Sequence, residues 1–369
     1  MKMKARRKLA DEASVALLIF IFAILYRALL IAADPYPPGP DLGLHNSIIN
    51  SILMNNGKFT QNLYHMGGGD SLTHPGFHFF ASTILLFTEA PAYVVQSAVA
   101  VLFSSLTVLC AYLLTKAIWP LPAAPLIAAF LTAISKHDLD MLLWGGYPNV
   151  IALTLIPLIF YIFFRKNTSR SVLLTIASIL IGTLTFTHSL SALMFMAILA
   201  SFLLICLIAS RRTNNKMEGG SPLLLIFAAI LLGFIVGLPF LAEVLPVYLT
   251  NVEQGLFVGS IDVHRTAIVL TRMIPLEVAS LALIPALLIF FFSKKYRGRF
   301  FDRAGVLFSL WMIVPALSTQ SFIIGLYTDY YRLLYFLVFP VIVFLALLFD
   351  HGFRFFAYNI AKFLELHNL

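Results

Sequence analysis

The chain has 369 residues, of which 60% are hydrophobic and only 11% charged, with a formal net charge of +8. A soluble protein of this length must cover its surface with charge, so the composition points to lipid as the solvent and excludes an ordinary soluble globule. Nucleic acid is not the expected partner, because the basic residues sit in short clusters between apolar runs, as loop charges do in membrane proteins.

The N-terminus carries Lys2, Lys4, Arg6, Arg7 and Lys8 ahead of an apolar run over 13–33. A cleavable signal has an apolar core of about 7–15 residues, whereas a bilayer crossing takes about 20. An uncleaved anchoring helix is expected. Further runs long enough to cross lie near 92–116, 119–135, 149–164, 171–187, 189–209, 222–247, 275–292, 304–320 and 332–350. The expected fold is therefore all-α, a single integral membrane domain over 1–369 built as a polytopic bundle of about ten spans. Cys110 and Cys206 both fall inside apolar runs and read as inert packing residues.

Segment 75–88 is apolar, but as a helix it would reach only about 20 Å across a hydrocarbon core of ~30 Å. Charge decides its place. If it does not cross, the loops on the side of the N-terminus hold Lys116, Arg165, Lys166, Arg170, Arg211, Arg212, Lys216, Lys294, Lys295, Arg297, Arg299, Arg303, Arg354 and Lys362. The opposite side then holds only Lys58, Lys136, Arg265, Arg272 and Arg332. A crossing at 75–88 would move most of the basic clusters outside and break the positive-inside pattern. Both termini are thus expected in the cytoplasm of a multi-pass cell-membrane protein. Segment 75–88 belongs to a long first extracytoplasmic loop, 34–91, as an interfacial or re-entrant helix.

Long ordered loops are usually functional. This one opens Asp34-Pro35-Tyr36-Pro37-Pro38-Gly39-Pro40, which cannot continue a helix. A short amphipathic helix follows, with Leu44, Ile48, Ile49, Ile52 and Leu53 as its apolar face and Gly57 as terminator. Asp41 and His45 stand four residues apart, so in a first helical turn they share a face and can serve general-base chemistry. Asp at a helix start is as often a cap. His74 and His78 also have i,i+4 spacing, but two histidines without a third ligand usually hydrogen-bond.

The second outer loop, 136–148, contains Asp138-Leu139-Asp140 and then Trp144-Gly145-Gly146-Tyr147-Pro148. Asp138 and Asp140 can hold a hard divalent ion such as magnesium or manganese. Trp144 and Tyr147 suit a sugar or an isoprenoid tail, or serve as an interfacial anchor. Arg265, Arg272 and Arg332 offer guanidinium groups to a phosphate, and Asp329 either joins them at a substrate or pairs with Arg332. His188, Arg27 and Glu243 are costly in lipid and are expected to face the protein interior or a wet cavity. The sequence has no Walker-type loop, no His-Glu-x-x-His and no CxxC pair.

A first helix, an outer loop with Asp41-x-x-x-His45, and His74-Pro75-Gly76-Phe77-His78 before the second span together resemble the GT-C superfamily of polyprenyl-phosphate-sugar-dependent glycosyltransferases. That superfamily includes oligosaccharyltransferases and protein O-mannosyltransferases. The likeness lies mainly in residues 1–200. It implies an inverting transfer of a sugar from a polyprenyl-phosphate donor to a glycan, lipid or protein acceptor on the extracytoplasmic face. Asp41 would be the first-loop acid and the base, with Asp34 a second candidate, and Asp138 and Asp140 would match the second-loop acidic pair. Oligosaccharyltransferases carry a large extracytoplasmic C-terminal domain and this sequence stops at Leu369, which weighs against a peptide-sequon acceptor. Two other readings compete. One is a transporter or lipid flippase using Arg27, Glu243 and His188, and the other is a non-catalytic membrane subunit.

Overall fold

The computed structural model describes residues 2–33, 36–59, 74–119, 121–165, 169–213, 222–253, 303–319 and 330–366. Among them every regular element is a helix and there is no strand. It is a polytopic helical membrane protein. In chain order the helices are α1 (Lys2–Ile31), α2 (Leu42–Met54), α3 (Gly76–Thr88), α4 (Ala92–Ile118), α5 (Ala124–Ala133), α6 (Lys136–Trp144), α7 (Tyr147–Phe164), α8 (Arg170–Thr187), α9 (Ser189–Thr213), α10 (Leu223–Glu253), α11 (Arg303–Ser318) and α12 (Tyr330–Leu366).

Seven of these, α1, α4, α7, α8, α9, α10 and α12, are long and apolar enough to cross a membrane. The run 119–135 yields only the ten-residue α5, with Pro125 in its first turn, and 304–320 yields the 16-residue α11. The expected span 275–292 lies outside the described residues. Segment 75–88 forms a helix of 13 residues, as short as its length required.

Helices in lipid gain little from hydrophobicity against one another, so close packing of small residues holds them. The α8–α10 seam shows this. A Cβ on Gly182 would stand 2.6 Å from Val236 Cγ1, and one on Gly233 would stand 2.6 Å from Ile181 Cγ2. Ser178 Oγ donates to Ala229 O (3.3 Å) across the same contact. On the opposite flank Ala16 and Ala23 of α1 pack against Val108, Tyr112, Ala129 and Ala133.

Arg27 is fully buried where α1 meets the end of α5. Its guanidinium donates to Ala133 O (2.9 Å), Thr132 O (3.2 Å) and Ser104 Oγ (2.6 Å). Carbonyls at a helix C-terminus lack intrahelical donors and carry the negative end of the dipole, so a cation there is at home. Arg27 is thus interior, as expected, whereas Glu243 lies exposed on α10.

Among the described residues the two ends of the bundle make different contacts. At one end Lys116 Nζ meets Glu12 (2.9 Å), and Asp350 accepts from Ala123 N (3.1 Å) and Arg354 (2.8 Å). At the other lie α2, α3, α6 and the α8–α9 junction. We call this the outer end, for the side the charge pattern assigns it.

Candidate active site at the outer end

Helix α6 stops at Gly145, whose φ of +87° closes a left-handed C-terminal turn with Gly145 N donating to Leu142 O and Gly146 N to Met141 O. The first loop sits directly on this turn. Gly39 has φ +119°, and a Cβ there would lie 2.6 Å from the backbone C and O of Trp144. Neither the conformation nor the space admits a side chain. Asp41 follows against the same turn, its Cβ 3.5 Å from where a Cβ on Gly145 would stand.

Asp41 is the N-cap residue of α2 but makes no side-chain capping bond, so capping does not account for it. It is half-buried. The buried face of α2 is His45, Ile48, Ile49, Ser51 and Ile52, while Leu44 and Leu53 are 45% and 37% exposed. The apolar stripe is therefore rotated from the one expected. Ile48 and Ile52 pack with Phe59 against Phe240 and Val244 of α10, and this rotation turns His45 inward.

His45 Nε2 donates to Gly145 O (2.8 Å), and its Nδ1 lies 3.0 Å from His78 Nε2. Its ring stacks on Tyr147 at 5.7 Å and 24°. Burial pulls the His45 imidazole below its ordinary range, with Gly145 O and the Asp41 carboxylate pulling the other way. His74 donates through Nδ1 to Thr185 O (3.1 Å), and burial lowers its pKa too. His74 and His78 thus hydrogen-bond as expected of a pair without a third ligand.

At the α8–α9 junction His188 Nδ1 lies 2.8 Å from Ser191 Oγ, and Ser191 Oγ donates to Asn149 Oδ1 (2.9 Å). Burial, with smaller contributions from His74 and Arg332, draws its pKa down to about 3. The Arg332 guanidinium lies over the Trp144 ring at 5.9 Å.

Asp41, His45, Trp144 and Tyr147 therefore gather around one turn, with Arg332 on Trp144 and His188 within range of the Arg332 charge. Their exposures differ: Trp144 is 41% exposed, whereas Tyr147 is fully buried behind His45 and belongs to the packing of the site. Asp140 is exposed on α6. Asp138 is on the same helix with its side chain outside the described residues, as are Arg265, Arg272 and Asp329 entirely. Among the described residues no three His, Cys, Asp or Glu side chains come close enough to hold a metal ion. Gly39, Asn149 and Ser191 carry no signature in the sequence; only a glycine flanked by prolines hinted at the first.

The sequence model of DUF6541, a family of unknown function, matches residues 4–365. This chain belongs to that family. No curated protein matches it. Its fold is similar to that of the oligosaccharyltransferase of Archaeoglobus fulgidus tethered with an acceptor peptide containing the NVT sequon. The TM-score is 0.56 at 16% identity over 90% of this chain and 49% of that one. The same archaeal oligosaccharyltransferase, AglB, in complex with an inhibitory peptide and a dolichol-phosphate matches with TM-score 0.52 at 16% identity, over 94% and 52%. Its complex with Zn and sulfate gives 0.51 at 18%, over 94% and 51%. This DUF6541 member shares their fold and spans about half their length.

Proposed function

We propose that this chain is a membrane glycosyltransferase that moves a sugar from a polyprenyl-phosphate donor to an acceptor at the outer end of the bundle, with inversion. The observation that carries the reading is Asp41, a half-buried carboxylate free of any capping role, seated by backbone contact on the second-loop turn. The fold likeness supports it, since one of those oligosaccharyltransferase structures holds a dolichol-phosphate and another an acceptor peptide.

In this reading Asp41 accepts the proton of an acceptor hydroxyl or amide as its oxygen or nitrogen attacks the anomeric carbon. The bond from that carbon to the phosphate oxygen breaks, and the lipid phosphate leaves with the electron pair. Arg332, held over Trp144, is the cation placed to receive the negative charge. Asp138 and Asp140 are proposed ligands of a divalent ion. Residues two apart on α6 do not face each other, so one ion shared by both would draw further ligands from outside that helix.

Transport is less well supported. Arg27 is occupied with the end of α5 and Glu243 is on the surface.

The test is transfer or hydrolysis from a panel of labelled polyprenyl-phosphate sugars. Asp41→Asn should lower turnover by about 10²–10⁴-fold with unchanged thermal stability. Full retention of turnover would remove Asp41 from the base role, and no turnover by a folded wild type across the panel would remove the transferase reading.

A further inference from the structure

Three short contacts run in line from the second-loop turn to the entry of α3. His45 Nε2 lies 2.8 Å from Gly145 O, His45 Nδ1 lies 3.0 Å from His78 Nε2, and His78 Nδ1 lies 3.2 Å from His74 O. Both outer partners are carbonyl oxygens, which only accept, so each outer contact needs a proton on the ring nitrogen. Two neutral imidazoles bring two N–H protons in all. If both serve the carbonyls, two lone pairs face each other at the centre. If either moves to the centre, a nitrogen lone pair faces a carbonyl oxygen instead. With two protons one contact of the three is always unmade, between side chains only 6% and 2% exposed, and an unmade bond between buried polar groups is costly.

We propose that His45 and His78 share one additional proton, so that the pair is a single cation tying α2 to α3 and to the Gly145 turn, and that His78 is a positioning residue for Asp41. The proton count then closes: both carbonyls receive an N–H and the third proton lies between the rings. One charge spread over two rings and bound at both ends is the form of ionisation that burial penalises least. A second additional proton is a different matter. Burial lowers both imidazoles and the neighbouring His45 charge lowers His78 further, so the first proton is held only because it completes the three contacts, and the pair does not become a dication. The titratable groups facing the pair are Asp41 at the entry of α2, His74 ahead of α3, and Tyr147 at the start of α7, whose ring covers His45. Among the described residues Asp41 is the carboxylate that acts on His45, one helical turn away. The cation anchors the helix that carries Asp41.

The catalytic consequence rests on the reading of Asp41 as the base; the proton bridge does not, and the two are tested separately. Solid-state NMR of the full chain in nanodiscs, labelled with ¹⁵N-histidine, reads the bridge at pH 7. The expected result is a protonated outer nitrogen on each ring and a nitrogen–nitrogen coupling across the central contact that disappears in His78→Gln. An outer nitrogen without its proton on either ring would overturn the bridge.

Glutamine at position 78 can still donate to His45 Nδ1 but cannot carry the charge. In His78→Gln the tie between α2 and α3 loosens and Asp41 moves with α2, so turnover should fall by about 10²-fold with KM and thermal unfolding little changed. An unchanged turnover would reduce His78 to packing. Failure of the wild type to transfer sugar would retire the Asp41 reading while leaving the NMR result to decide the proton bridge.

Discussion

The α8–α10 seam and the outer-end cluster are both places where backbones come close, but they hold for different reasons. In the seam Gly182 and Gly233 let two long apolar helices touch along their length, and the return is dispersion spread over many atoms. In the outer cluster α2, α3 and α6 are short, at 13, 13 and 9 residues, so the apolar face each can bury is small. They are tied by discrete polar contacts, His45 to Gly145 and His78, and His74 to Thr185, and by close backbone approaches at Gly39 and Gly76. The first kind of contact resists small losses, since each atom contributes little. The second is directional, and losing one member moves everything it positions.

Gly39→Ala tests that difference most sharply. The added methyl meets main chain at Trp144 and Gly145, which cannot rotate aside, and the φ of +119° is unsuited to alanine. The first loop should lift from the turn and displace Asp41. A shift of ~1 Å in a reacting group costs on the order of 10²-fold, so transfer should fall by about that factor while the thermal unfolding of the bundle hardly changes. Equal losses of stability and activity would mean that the two regions are not separable.

Gly233→Leu makes the opposite cut. It inserts a side chain against Ile181 and Ser178 O, and overpacking of this kind costs about 1–3 kcal/mol. The expected outcome is a lower unfolding temperature with near-normal turnover per folded molecule. A turnover that collapses before unfolding would show that the seam sets the site geometry.

The smallest expected effect is on pH. His188 is held at about 3 in the folded protein, mainly by burial, against an ordinary value of 6.5. Between those values the unfolded chain binds more protons, so stability rises with pH; the contribution is complete above about 6.5 and is lost as pH falls toward 3. Unfolding temperature should therefore drop between pH 7 and pH 5, and His188→Asn should flatten that slope. An unaltered slope would assign the acid sensitivity to other groups, His74 first among them.

Composition and apolar run length sufficed for the all-α membrane class, because lipid imposes the same demand on every spanning segment: about 20 apolar residues with the backbone bonded internally. The shortness of 75–88 was legible for the same reason, since it follows from a one-dimensional rule. Asp41 and His45 were legible as a pair through their spacing. The direction in which α2 turns was not, because Leu44 and Ile48 are equally apolar, and only packing against Phe240 and Val244 of α10 selects the face that buries His45. Nor does any spacing rule connect Gly39 to Trp144, His78 to His45, or Ser191 to Asn149. Those contacts join residues 33 to 105 positions apart in the chain. They exist because the long helices bring the ends of α2, α3, α6 and α9 to one level, and only the tertiary structure sets that level.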